Sequence, residues 1–161
     1  MYKFILALFL LISNSHANPL DSTDYNLKQP IEIEADSLEI IQNQQRAIFD
    51  GNVQVTQGNI KLNANNMIVH YKRGAKDGKN IQKIEVNGNV VLATPTESAK
   101  GNKGTYNVVD NMIHLVGNVT LSKGNNIIKG DKLSYNMQSG YSKVSTTKNG
   151  RVKGLFLPGQ K

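Results

Sequence analysis

The sequence Gly-Asn-Val occurs three times, beginning at Gly51, Gly88 and Gly117, and each copy lies within the same pattern of apolar residues. Apolar or small side chains stand two and four positions before each glycine, and two and four positions after it. This alternation has the two-residue period of a strand with one buried face. Glycine within a strand usually marks a bulge or bend, and asparagine tolerates positive φ. The pattern therefore predicts three strands that each bend at a corner.

A second motif, a small residue followed by Asn or Asp, stands thirteen residues after each glycine, at 64–65, 101–102 and 130–131. An earlier copy occurs at 35–36. We interpret these pairs as turns between strands, because Asn, Asp and Gly favour turns. Successive copies are 29, 37 and 29 residues apart, and a polar insertion at 72–83 accounts for the longer interval. The sequence thus predicts a repeat of about 29 residues whose short strands bury their apolar face by stacking.

The first seventeen residues have the features of a secretory signal peptide. Lys3 supplies a positive charge, residues 4–12 are apolar, and residues 15–17 fit a small-x-small cleavage site. The apolar run is much shorter than the roughly 20 residues of a membrane-spanning helix. We therefore predict export, with cleavage after Ala17.

The remainder is predicted to be one all-β domain over residues 30–158, with a polar linker at 18–29 and a short C-terminal end at 159–161. Segments rich in Val, Ile, Tyr and Thr alternate with Asn, Gly and Asp, and none keeps the 3.6-residue apolar period of a helix. The chain contains no cysteine. A domain of this size can nevertheless form a stable core without disulfides or metal.

Charge is unevenly distributed along the chain, whose net charge is +7. Residues 18–50 have a net charge of −5, and residues 51–161 have one of +11. This suits a solvated surface, an anionic partner for the basic part, or an acidic end that meets the basic end of another copy. Nucleic-acid binding is disfavoured, because the chain has an export signal and lacks aromatic residues at outward positions.

We find no catalytic constellation, metal site or cofactor site in the sequence. His70 and His114 each stand between inward-facing positions of separate strands, so both are expected to face solvent. Glu32 and Glu34 alternate with isoleucines on a predicted edge strand. That arrangement suits solvation or edge protection better than acid–base catalysis. The chain is therefore not predicted to be an enzyme.

The predicted inner face is aliphatic, with a few Tyr and Phe and no Trp. A closed sandwich core and an open apolar groove for acyl chains produce the same alternation, so periodicity leaves both possible. The two terminal strands, at 31–34 and 151–157, are uncovered in the predicted order, and one is acidic and the other basic. Uncovered strand edges favour pairing with another chain.

Five segments follow one another along the chain: QPIEIEAD at 29–36, FDGNV at 49–53, TQG at 56–58, IKGDK at 128–132 and RV at 151–152. Together, in this order, they resemble the LptA or OstA-like family of periplasmic lipopolysaccharide-transport proteins. The resemblance implies an open, V-shaped β-jellyroll of about sixteen antiparallel strands. It also implies copies that stack end to end and carry lipopolysaccharide along an apolar groove. The bridge would run from LptC and its ABC transporter at the inner membrane to LptD and LptE at the outer membrane.

The resemblance places Ile31, Leu92, Tyr106 and Val108 in the groove lining, and the alternation independently turns the same four residues inward. The full set predicted to line the groove is Ile31, Ile33, Phe49, Val53, Leu92, Tyr106, Val108, Leu115 and Tyr135. The residues predicted to join copies end to end are Glu32, Glu34, Arg151, Lys153 and Leu155.

Two functions are therefore compared. The first is a lipid-carrying bridge without an enzymatic step, peripheral to both membranes, in which the groove keeps acyl chains out of water. The second is a structural or adhesive β-repeat protein that assembles through its edges and binds no lipid. Bound lipid in the purified protein would favour the first, and a fully packed interior the second.

Overall fold

The structure, a computed structural model, describes residues 30–72, 81–136, 139, 141–147 and 149–159. These residues form one antiparallel sheet of ten strands, with a single 3-10 turn at Gln42–Gln44. The predicted signal peptide and linker lie outside the described residues, as does most of the insertion at 72–83. Within the described residues, no helix is long and apolar enough to cross a membrane.

The strands follow the chain in a simple meander. Their bounds are β1 Glu32–Glu34, β2 Ser37–Ile41, β3 Arg46–Gln57, β4 Ile60–Tyr71, β5 Ile81–Ala93, β6 Glu97–Asn107, β7 Met112–Lys123, β8 Asn126–Asn136, β9 Ser142–Ser145 and β10 Lys153–Leu155. Strands β3 to β8 pair in sequence order. Both β1 and β2 pair with β3 at one end of the sheet, and both β9 and β10 pair with β8 at the other.

The Gly-Asn pairs are β-bulges, as the sequence predicts. In β3, β5 and β7 the register shifts at the Gly-Asn pair, where two residues lie opposite one residue of the next strand. All six residues have positive φ, between 48° and 83°. Glycine and asparagine are the residues that adopt this conformation at least strain, which explains their repetition here.

At three of its four copies the second motif was wrongly interpreted as a turn, whereas the copy at 35–36 does lie between β1 and β2. Asn65, Asn102 and Asp131 lie within β4, β6 and β8, each opposite a bulge rather than between strands. The error arose because the partner of each residue is in another strand, which the local sequence does not reveal. The two motifs are therefore the two sides of one structural unit.

Side chains of the second motif explain why the bulge requires glycine. The side chain of Asp36 occupies the space that a Cβ on Gly51 would take, and Asn65 does the same at Gly88. Asn52 donates a hydrogen bond from Nδ2 to Asp36 Oδ2 at 2.8 Å. At the third bulge, Asn102 occupies the same space beside Gly117. A polar side chain of the second motif thus packs against each bulge glycine.

The bulges divide each of the six long strands into two arms, which form two walls. The first wall has β2 and β9 at its ends and contains the arms at 46–50, 66–71, 81–87, 103–107, 112–116 and 132–136. The second wall has β1 and β10 at its ends and contains the arms at 53–57, 60–64, 90–93, 97–101, 119–123 and 126–130. The ten strands thus supply sixteen arms within the described residues, which does not conflict with the predicted number of about sixteen short strands. The fold is the expected open β-jellyroll.

The apolar core lies on the inner faces of the middle strands. Its buried members are Val53, Val55, Ile60, Ala64, Met67, Val86, Val90, Leu92, Ala99, Ile113, Leu115, Val119, Leu133 and Tyr135. Burial decreases towards both ends of the stack. Leu38 and Ile40 of β2 are more than half exposed, and so are Leu155, Phe156 and Leu157 at the other end. Both ends therefore present apolar surface to solvent.

Candidate functional site

An apolar cavity of about 90 Å³ lies between the two walls, near the middle of the sheet. The second wall contributes Leu62, Val90 and Leu92. The first wall contributes Ile84, Val86, Gly104, Thr105, Tyr106, Ile113 and Leu115. The lining is almost entirely hydrocarbon, and such cavities accept apolar groups rather than water.

Gly104 leaves room for this cavity. A Cβ at this position would lie 2.8 Å from Val86 Cγ2 and 3.0 Å from Leu115 Cδ2, both closer than normal carbon–carbon contact. Its backbone lacks the positive φ of the bulge glycines. Glycine at position 104 is therefore explained by the positions of these two side chains and not by backbone conformation.

Two tyrosines belong to this inner face. Tyr106 lines the cavity, and Tyr135 is buried in the core. Burial raises the pKa of both hydroxyls above its ordinary value, because the phenolate form loses hydration. Both therefore stay neutral at physiological pH, so the inner face gains no charge from them.

The structure brings together three of the residues predicted to line the groove, because Leu92, Tyr106 and Leu115 all contact the cavity. Val53 and Tyr135 are buried in the core nearby, each with 1% of its surface exposed. Phe49 and Ile31 are partly buried and pack against that core.

Ile33 and Val108, which were also predicted to line the groove, lie outside the apolar cavity. Ile33 stands opposite Val55, so it shares the inner face, but it remains 39% exposed because β1 ends the second wall. Val108 follows the last residue of β6 and donates its backbone N–H to the carbonyl of Gln82 at 2.9 Å. It is half-buried and neither lines the cavity nor belongs to the core.

Seven residues of the cavity were absent from the predicted set, namely Leu62, Ile84, Val86, Val90, Gly104, Thr105 and Ile113. The alternation already turned most of these positions inward. The alternation does not reveal which strands pair, for example that Leu62 lies opposite Leu92. Without that register, the inward residues around the cavity could not be distinguished from those elsewhere in the core.

An ion pair lies at the edge of the second wall. Local sequence patterns did not predict it. Lys123 Nζ lies 2.8 Å from Glu97 Oε1, and the two residues are directly opposite each other in β7 and β6. The Glu97 side chain is 8% exposed and that of Lys123 is 39% exposed. A nearly buried carboxylate requires such a partner.

The two histidines occupy the outer face of the first wall. His70 Nε2 lies 2.7 Å from Glu85 Oε2, and His114 Nδ1 lies 3.1 Å from the Ser134 hydroxyl. Lys83 Nζ also lies 2.8 Å from Glu85 Oε1. Among the described residues, no group of three or more His, Asp and Glu side chains is arranged to hold a metal ion.

The residues predicted to join copies lie at opposite ends of the second wall. Glu32 and Glu34 are exposed on β1, while Lys153 and Leu155 are exposed on β10. Arg151 is exposed just before β10. Lys153 is directly opposite Lys129 of β8, which places two positive charges side by side.

Comparison with known proteins identifies the family. Residues 32–141 match the family described as LptA/(LptD N-terminal domain) LPS transport protein. The chain belongs to this family. Because the match includes all three bulges and the arms of both walls from β1 to β8, the family assignment covers the inner face described above.

Two individual proteins are similar to this member of the family. An uncharacterised protein of Rhizobium meliloti (strain 1021) is 42% identical over 91 residues, which is 54% of this chain and 49% of that protein. The chain thus spans about half the length of this relative. The crystal structure of LptH, the LptA-homologous periplasmic component of the lipopolysaccharide transport device of Pseudomonas aeruginosa, matches with a TM-score of 0.65. The two chains are 23% identical, and the aligned region covers 81% of this chain and 97% of LptH. This match supports the fold.

Proposed function

We propose that this protein carries lipopolysaccharide across the periplasm, with the acyl chains held between its two walls. The observation that carries the proposal is the hydrocarbon-lined cavity that both walls share. Burial of an acyl chain contributes about 0.8 kcal/mol per methylene group. A lipid with several chains therefore crosses water only while it is covered.

The cavity is smaller than the proposed cargo. Its volume of about 90 Å³ is smaller than that of an engineered apolar cavity of about 150 Å³ that binds benzene, so it holds only part of one acyl chain. Entry of the lipid consequently requires the walls to separate. The line of bulges provides the place for this movement, because three of the six long strands cross from one wall to the other through a Gly-Asn bend.

Transport along this groove needs partners at both membranes. By analogy with the family, we propose that lipopolysaccharide is received from LptC and its ABC transporter and delivered to LptD and LptE. The protein itself would bind and pass the lipid without an enzymatic step. Export through the predicted signal peptide would place it in the periplasm.

We further propose that copies stack end to end, with β1 of one copy beside β10 of the next. Glu32 and Glu34 stand opposite Thr56 and Gln54 on the same side of the second wall. This side is also that of Lys153. Main-chain hydrogen bonds would set the register, while the carboxylates would relieve the repulsion between Lys153 and Lys129. Arg151 and Leu155 would add contacts at the same junction.

Native mass spectrometry of the protein extracted from its source membranes tests the proposal. We expect a population whose added mass equals that of lipopolysaccharide, and we expect lipid-free protein to take it up again on titration. A protein that is purified without lipid and does not bind it would instead favour the structural or adhesive β-repeat function. The exposed apolar residues at both ends would serve that function equally well.

A further inference from the structure

The inner face of the second wall changes from apolar to polar at its edge. Leu92 lines the apolar cavity, and two residues further along β5 the chain reaches Thr94. In the next strand, Glu97 precedes the buried Ala99 by two residues. In β7, Lys123 follows Leu121, which packs against the core, by the same interval. Residues two apart in a strand share a face, so the ion pair continues the surface that holds the proposed acyl chains.

A second and larger cavity, of about 1290 Å³, adjoins this edge. Three segments line it: the turn at 94–98, the turn at 122–126 and the chain at 157–159. We call it the rim cavity. Of the described residues in its lining, Glu97 and Lys123 are the charged ones, and most of the others are Ser, Thr, Asn, Gly or Pro.

We propose that the rim cavity binds the sugar headgroup of the lipid whose chains lie in the groove. This inference rests on the proposed function and adds a second, polar subsite to it. A carboxylate accepts hydrogen bonds from sugar hydroxyls, and an ammonium group donates three to their oxygens. Because Glu97 and Lys123 neutralise each other, the pair suits neutral hydroxyl groups better than a strongly charged ligand.

Hydrogen bonds hold the rim cavity in shape before any ligand arrives. The Glu97 N–H donates to Thr94 Oγ1 at 3.1 Å, and the Thr94 N–H donates to the Glu97 carbonyl at 2.9 Å. The Gly124 N–H donates to the Thr96 carbonyl at 3.3 Å, which links the two turns. The Leu157 N–H donates to Asn126 Oδ1 at 3.1 Å and fixes the third segment. A preformed site loses less entropy when it binds.

The position of the two cavities matches an amphiphile with one polar end. Acyl chains would occupy the apolar cavity beside Leu92, and the headgroup would lie two residues further along the chain, at Thr94, just past the end of β5. An amphiphile with a sugar headgroup should therefore bind more tightly than an alcohol of the same chain length.

The test compares decyl maltoside with 1-decanol, both below the concentration at which they aggregate. Each displaces a fluorescent fatty acid from the protein, and the ratio of the two affinities isolates the headgroup. The double variant Glu97→Gln/Lys123→Met removes both charges together, since either change alone would leave an unpaired ion. We expect the preference for the maltoside to fall by about tenfold, equivalent to about 1.4 kcal/mol.

The matched control is Glu85→Gln/Lys83→Met. It removes an ion pair of the same 2.8 Å length from the outer face of the first wall and should leave the preference unchanged. Equal preferences in all three proteins, or equal losses of maltoside and decanol binding in the rim variant, would overturn the sugar subsite. If the native protein binds neither amphiphile nor the fatty acid, the groove itself is refuted and the headgroup site with it.

Discussion

Gly104→Ala separates lipid binding from folding. The added methyl group would lie 2.8 Å from Val86 Cγ2 and 3.0 Å from Leu115 Cδ2, so both side chains must shift. The cavity that these residues line provides the space into which they move. The substitution should therefore reduce the cavity while leaving the strand intact, because the backbone at Gly104 does not have the positive φ that only glycine adopts easily.

Gly104→Ala should change the free energy of unfolding and the free energy of lipid binding by different amounts. Overpacking of a filled core costs about 1–3 kcal/mol, whereas replacing glycine by alanine at an unstrained position stabilises by about 0.4–1 kcal/mol. Because the cavity absorbs part of the overlap, we expect the free energy of unfolding to change by less than about 1.5 kcal/mol. Each methylene group displaced from the cavity should weaken lipid binding by about 0.8 kcal/mol, or roughly fourfold in affinity.

Urea unfolding and titration with a fluorescent fatty acid measure the two effects on the same samples. Gly101→Ala is the matched control, because this glycine lies in the same strand and its added Cβ would make ordinary contacts of 3.5 Å or more. A folded Gly104→Ala protein with native affinity would show that the acyl chain lies elsewhere. A variant that fails to fold would also contradict the reasoning, since it would show that Val86 and Leu115 belong to a closed core.

Three other changes follow from the structure. Val108→Glu should keep the fold by circular dichroism and leave fatty-acid binding unchanged, since this residue neither lines the cavity nor belongs to the core; weaker binding by the folded variant would place Val108 in the groove. Deletion of residues 151–161 should shorten oligomers in light scattering, because it removes β10, and long oligomers of the truncated protein would refute end-to-end pairing. A hydrogen bond from Lys83 is the largest factor that lowers the pKa of Glu85 below 4.5. The resulting stabilisation should be present above pH 4.5 and lost as pH falls through the lowered pKa. It is modest because the Glu85 side chain is 38% exposed to solvent. Glu85→Gln should therefore be less stable than the native protein in urea at pH 7 and equal to it in strong acid.

Local sequence was sufficient for features that depend on neighbours along the chain. The bends at Gly51, Gly88 and Gly117 could be predicted, because a glycine followed by an asparagine within an alternating strand is typical of a bulge. The inward direction of Leu92 and Tyr106 could be predicted as well, since it depends only on the two-residue period.

Features that depend on strand pairing could not be predicted in this way. Asn65 was assigned to a turn because its partner, the bulge at Gly88, is in another strand. The Glu97–Lys123 pair was missed because it requires the register between β6 and β7. Ile33 faces inward as predicted, yet it is exposed because no strand of the described residues lies beyond β1. Burial is a property of the whole stack and not of one strand.

The line of bulges runs across the strands, from one end of the sheet to the other. Each wall has eight arms, and neighbouring arms are about 4.8 Å apart, so one molecule extends roughly 34 Å along this line. Strands added at either end would lengthen this line, since new arms would pair beside the end arms of the walls and would not cross the space between them. If copies pair in this way, the spacing between the last strand of one copy and the first strand of the next would equal the spacing between strands within one copy. A lipid that moves along the line of bulges would therefore find no gap at the boundary. A stack could then be lengthened by adding copies, and the inner face that would contact the lipid would stay the same.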